Sequence, residues 1–186
     1  QSRLAGSCCG LVARTLQAAR ARLPSDAGPD AVSAAWRIVE DDLSGAAIRA
    51  LLERHFAGML ANSPAGSCHF LDFEGLKTPG VTFWSIHLDE KLAGCGALKM
   101  LDARHGEVKS MRTADAFLRR GVAARMLAHI MTEAKARGLE RLSLETGSGA
   151  AFEPAHALYR RHGFVECEPF ADYRPDPFSR FMTRPL

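Results

Sequence analysis

The chain has 186 residues, 47% of them hydrophobic and 24% charged, with a formal net charge of +3. That length suits one domain with a sizeable core, and no apolar run approaches the ~20 residues that a membrane-spanning helix needs. So slight a positive charge argues against nucleic acid or a membrane as partner, although it suits an anionic small ligand.

Residues 1–35 differ from the rest, because Arg3, Arg14, Arg20 and Arg22 lie among Ala, Ser and Leu and no acid precedes Asp26. An Arg-rich, acid-poor stretch reads as a flexible extension or a targeting segment. The domain is therefore expected over residues 36–186. "WRIV" is a short strand there, followed by a helix carrying Ile48, Leu51, Leu52, His55, Phe56 and Met59 at i, i+3, i+4 spacing. Residues 61–80, with Pro64, Gly66, Gly75, Pro79 and Gly80, read as loop, with a short helix inside "CHFLDFEGL". "VTFWSIHLD" and "KLAGCGALKML" form a hairpin about Asp89-Glu90.

The break "DARHG" leads into the strand "EVKSMRT", and a helix is expected from about Gly121 to Arg137. Its apolar stripe is Val122, Met126 and Ile130, and Gly138 supplies the stop. "RLSLE" is a strand, "EPAHALYRRH" a helix with Pro154 in its first turn, "GFVECEPF" a strand and "SRFMTRPL" a final strand. Strands and helices mixed in this order imply an α/β (α+β) fold, a mixed sheet flanked by helices.

The five cysteines, Cys8, Cys9, Cys68, Cys95 and Cys167, are odd in number and lack C-x-x-C spacing. That argues against a disulfide framework or zinc site, and for a reducing, cytoplasmic setting. The histidines show no H-E-x-x-H or other ligand spacing, so no metal is expected.

The most informative stretch is "LRRGVAARML", Leu118 to Leu127, where a helix starts on basic and small residues without a side-chain cap. Helix N-termini leave N–H groups unpaired and carry partial positive charge, and an anion satisfies both. Gly121, Ala123 and Ala124 let a phosphate approach the backbone, and Arg119 and Arg120 add forked donors. Alone, such a stretch is equally a solvated basic turn. "GCGALK" from Gly94 starts like a dinucleotide fingerprint, but Lys99 stands where the third glycine belongs and the segment continues a strand. Its glycines mark close approach of a backbone or ligand.

Taken together, "EVKSMRT", "RRGVAA" with its helix, "RLSLE" and "ALYRRHGF" resemble the GNAT superfamily of acyl-CoA-dependent N-acetyltransferases. The superfamily's Q/R-x-x-G-x-G/A motif falls on Leu118, Arg119, Arg120, Gly121, Val122 and Ala123. Its A-x-x-L-Y-x-x-x-G-F pattern falls on Ala155, Leu158, Tyr159, Gly163 and Phe164. The likeness runs in order over residues 36–186, and the tail "PFADYRPDPFSRFM" looks like a subgroup of small bacterial members. Leu118 departs from Gln/Arg and Phe152 from the Asn of many members, without touching the backbone amides.

The resemblance implies a mixed, mostly antiparallel central sheet with splayed central strands, and acetyl-CoA as cosubstrate for attack by an amine. It places Met111, Arg112 and Thr113 main chain along the pantetheine arm and residues Leu118 to Ala124 on the diphosphate. Phe152 and His156 are set beside the cofactor. Tyr159 is the implied acid and Glu107 the implied base, with Glu145 as rival, either carboxylate able to act through a water. The acceptor would meet the splay between "EVKSMRT" and "RLSLE", shaped by the first helix, the 61–80 loop and "FADYRPDP", with Asp72, Glu74 and Asp172 to attract a cationic amine. The acceptor itself stays unread, a homodimer is left open by the resemblance, and the alternative is a non-catalytic acyl-CoA-binding module.

Overall fold

The computed structural model describes residues 35–64 and 69–186, so the extension expected over residues 1–35 lies, but for Ala35, outside the described residues. The elements run β1 (Trp36–Glu40), α1 (Ala46–Asn62), α2 (Phe73–Leu76), β2 (Val81–Leu88), β3 (Lys91–Met100), β4 (His105–Thr113), α3 (Val122–Ala136), β5 (Arg141–Thr146), α4 (Glu153–Arg161), β6 (Val165–Glu166) and β7 (Arg180–Pro185). The sheet order is β1-β2-β3-β4-β5-β7-β6, and β4·β5 is its parallel pair amid antiparallel neighbours. Among the described residues, no helix is long and apolar enough to cross a membrane.

Alternation along the central strands sends side chains to two cores. Trp84 and Ile86 of β2 join Val108, Leu142 and Leu144 against Met126, Leu127 and Ile130 of α3 and Tyr159 of α4. Phe83, Cys95 and Ala97 turn the other way, onto Leu51 and Leu52 of α1 and Leu76 of α2. The expected short helix is α2, capped by Asp72, whose side chain accepts from Gly75 N–H at 2.8 Å. The strand expected over "GFVECEPF" shortens to Val165–Glu166, with one further bond from Cys167 N–H to Phe181 O. Pro169 has no N–H to extend an edge ladder.

One irregularity positions the site. Cys95 pairs with Arg112 and Ala97 with Lys109, so Ser110 and Met111 together face Gly96. Ser110 takes a left-handed φ of +52°. This bulge bends β4 away from its neighbour. β4 pairs with β5 only from His105↔Arg141 to Glu107↔Ser143, although β4 continues to Thr113. Beyond Glu107 the two strands splay. Glycine at 94 allows the closure behind the splay, since a Cβ there would lie 2.6 Å from Arg112 O and 2.8 Å from Val122 Cγ1 of α3.

Candidate active site

Two lengths of main chain with unused hydrogen-bonding capacity lie side by side, the start of α3 and the free edge of β4. Gly121 caps α3 with φ +79°, and no side chain accepts from its first turn. The amides of Arg119, Gly121, Val122, Ala123 and Ala124 have no partner among the described residues, while Arg120 N–H makes a long 3.4 Å contact with Phe117 O. Arg119 is also left-handed, φ +61°, and such curvature gathers successive N–H groups on one side as an anion-binding nest. A Cβ at Gly121 would meet nothing within 4 Å, and residues 118–121 are exposed. The approach is open. Arg120 rests its guanidinium 5.3 Å from the Phe117 ring centroid, and Leu118 is an exposed apolar side chain beside it.

Along β4, side-chain direction alternates about the main chain. Met111 packs into the α3 core. Arg112, paired with Cys95, points to the α1 face. Thr113, opposite Gly94, closes the strand.

α4 stands beyond β5. Tyr159 is buried in the α3/α4 core with its ring 5.8 Å from Phe164, and no hydrogen bond among the described residues occupies its hydroxyl. Burial raises its pKa, and the Glu145 carboxylate pushes the same way. His156 and Phe152, expected beside the cofactor, serve the protein's own packing. His156 Nε2 meets Gly147 O at 2.9 Å and its Nδ1 lies 3.4 Å from the Glu153 carboxylate, so both ring nitrogens are engaged. Phe152 packs edge-on to Phe178 at 5.5 Å over Gly147, where a Cβ would be 2.6 Å from each ring. Together they lock the turn from β5 to α4.

On the α1/α2 face the splay holds a buried polar cluster. Glu107 Oε1 accepts from the Tyr173 hydroxyl at 2.6 Å and lies 3.2 Å from Lys109 Nζ. Lys109 Nζ also donates to the Tyr173 hydroxyl and to His69 O, each at 2.8 Å. The two charged side chains are 1% and 7% exposed. Tyr173 is held in turn by His69, edge-on at 5.3 Å, and by Phe170 and Phe181. Glu107, the expected base, is therefore already engaged by a cation and a phenol of the protein itself.

Glu145 differs. It accepts one hydrogen bond, from Ser179 Oγ at 2.7 Å, and burial raises its pKa against the opposing pull of that bond and of Lys109. Of the acids expected to attract an amine, Asp72 is spent on the α2 cap and Glu74 pairs with Lys77 at 3.8 Å; Asp172 remains an exposed loop residue. Lys109 and Tyr173 were not anticipated. The signal for Lys109 was present, since two charges two residues apart in a central strand must share one buried face. Tyr173 has no local signal.

Unpaired main-chain amides at a helix start beside a free strand edge, with a phenol and a carboxylate of raised pKa beyond them, form an arrangement that suits acyl transfer. The profile of the Acetyltransferase (GNAT) family matches residues 41–164, and the chain belongs to that family. It is 56% identical over 151 residues to the uncharacterized N-acetyltransferase YedL of Escherichia coli (strain K12), a match covering 81% of this chain and 95% of that protein. A candidate acyl-CoA N-acyltransferase from Klebsiella pneumoniae shares the fold with TM-score 0.68 and 27% identity, over 81% of this chain and 97% of that one. A GNAT family acetyltransferase from Elizabethkingia anophelis, solved with acetyl-CoA bound, does so with TM-score 0.57 and 16% identity, over 81% and 98%.

Proposed function

We propose that the protein transfers the acetyl group of acetyl-CoA to a primary amine by direct attack. The observation that carries this reading is the set of unpaired amides from Arg119 to Ala124. They suit a diphosphate in number and local charge, and their neighbour β4 offers an unpaired edge for an extended amide-bearing arm. Acetyl-CoA brings both groups and supplies the activated acetyl thioester. In the superfamily's manner, an N–H near the β4 bulge polarises the thioester carbonyl, a kind of contact worth about 2.7–4 kcal/mol in oxyanion holes.

An amine of pKa near ~10 arrives mostly protonated and must lose a proton. We assign that task to Glu145 rather than Glu107. A carboxylate held less stable by burial is the stronger base, and it acts directly or through one water. Tyr159, a phenol that is protonated at neutral pH and whose hydroxyl has no hydrogen bond among the described residues, is the donor to the departing thiolate. Glu107, with Lys109 and Tyr173, braces the opening.

Titration with acetyl-CoA followed by an amine screen with thiol detection tests the reading. Micromolar binding and amine-dependent thiol release are expected. Binding without thiol release from any amine would instead mark a non-catalytic acyl-CoA-binding module.

A further inference from the structure

The side chain of Arg112 has no role in the reading above, which uses only its main chain, yet its environment is unusual. It leaves β4 on the α1 face, the face of the acceptor. Its Nε is buried and has no hydrogen-bond partner. One Nη2 contact goes to Asp115 at 3.1 Å, but that carboxylate is 65% exposed and the arginine side chain 32%, so the pair is well screened by solvent. Beside it on α1, burial and the Arg112 charge hold His55 down to about 4, which leaves His55 neutral at physiological pH. Ser110 Oγ, on the bulge two residues earlier, is a second buried polar atom without a partner.

A buried guanidinium N–H with no acceptor is unfavourable, and a carboxylate is the group whose two oxygens match Nε–H and an adjacent Nη–H as a fork. Amine capture needs no such donor. A molecule carrying both groups would place its amine toward the β4 bulge, where the thioester lies in the proposed reaction, while its carboxylate reaches back along the strand to Arg112.

We propose that Arg112 selects the acceptor, its Nε–H and an Nη–H holding a carboxylate, so that the substrate is an amino acid or a comparable small amino-carboxylate. This rests on the acetyltransferase reading and narrows it. It disfavours polyamines and simple alkylamines, which offer the guanidinium only a second cation.

The test compares free L-amino acids with their carboxamides in thiol release from acetyl-CoA. The carboxamide has the less basic amine and is the readier nucleophile at neutral pH, so intrinsic reactivity opposes the expected result. The acid is expected to win by about tenfold or more in kcat/KM, mostly through KM. Arg112→Gln should bring the acid-to-amide ratio close to one. Arg112→Lys, which keeps the charge and loses the fork, should retain part of it. Because the ratio is taken within each variant, a general loss of fold or of CoA binding does not imitate this pattern.

Turnover confined to amines without a carboxylate overturns the proposal alone, as does an acid-to-amide ratio that Arg112→Gln leaves unchanged. Absence of thiol release from every amine, with acetyl-CoA still bound, overturns the acetyltransferase reading and this proposal with it.

Discussion

At the start of α3 the protein leaves five main-chain N–H groups unpaired, opening beside the exposed residues 118–121. On the α1/α2 face of the sheet, Lys109 has a partner for each of its ammonium donors, and its ion pair with Glu107 is almost wholly removed from water. One region is unfinished and the other complete. Unpaired backbone donors in water cost little, and they wait for an anion whose charge does not vary with the acceptor. A buried ion pair is worth little net stability against a hydrophobic replacement, but it holds loops from distant parts of the chain in one arrangement. The contrast suggests a general coenzyme site made from main chain and a particular acceptor site made from side chains.

Removing chemistry from the acceptor side gives the largest expected effect. Glu145→Gln should lower kcat about 100-fold or more, with acetyl-CoA affinity, read by calorimetry, within twofold of the parent. In the parent, log kcat/KM should rise with pH on a limb above the ordinary carboxylate range, since burial raises the Glu145 pKa and only its ionised form accepts a proton. That limb should vanish in Glu145→Gln. An intact limb in the variant would return the base to Glu107.

Next comes the completeness of the cluster. Lys109→Met leaves Glu107 buried without its cation, with only the Tyr173 hydroxyl beside it, and urea unfolding should show a loss of about 3–5 kcal/mol. Adding Glu107→Gln should recover most of it. Independent, additive losses would show that the pair is not coupled as its 3.2 Å separation implies.

The coenzyme side should break differently. At Gly121 a new Cβ meets nothing, yet φ +79° is strained for a β-branched residue by about 1–3 kcal/mol. Gly121→Val should therefore weaken acetyl-CoA binding at least tenfold, by misaiming the amides and filling the approach, with a smaller fall in melting temperature. Unchanged affinity would place the diphosphate elsewhere.

The smallest effect concerns α1. Burial, with the Arg112 charge beside it, pushes the His55 pKa down to about 4, below the ordinary imidazole value of 6.5, so its neutral form is the one the fold accepts. Stability from this source is present above pH 6.5 and is lost as pH falls toward 4. His55→Asn should flatten that part of the stability–pH curve, measured by denaturant titration at several pH values.

These two regions also differ in how far they can be read without coordinates. The cradle is local: "RRGVAA" is six consecutive residues, and whether their amides are free depends on a helix start and a left-handed glycine, both set by short-range sterics. Strand and helix periodicity likewise predicts the elements, and the order of motifs points to the splay. The buried polar cluster joins His69, Glu107, Lys109 and Tyr173, with Tyr173 and Glu107 separated by 66 positions. Nothing near Tyr173 in the chain indicates that its hydroxyl will reach Glu107. His156 is a second case, since its place one turn before Tyr159 says nothing of the bond that its ring makes to Gly147 O.

Backbone conformation answers to neighbours a few residues away, so a helix start without a side-chain cap at Gly121 could be read from the local residues. Side-chain partnership across a sheet answers to strand register, to the bulge at Ser110 and to the path of the loop carrying Tyr173. Those are decided only when the whole core packs. Which carboxylate stays free to accept a proton, and which way Arg112 points, belong to that second kind.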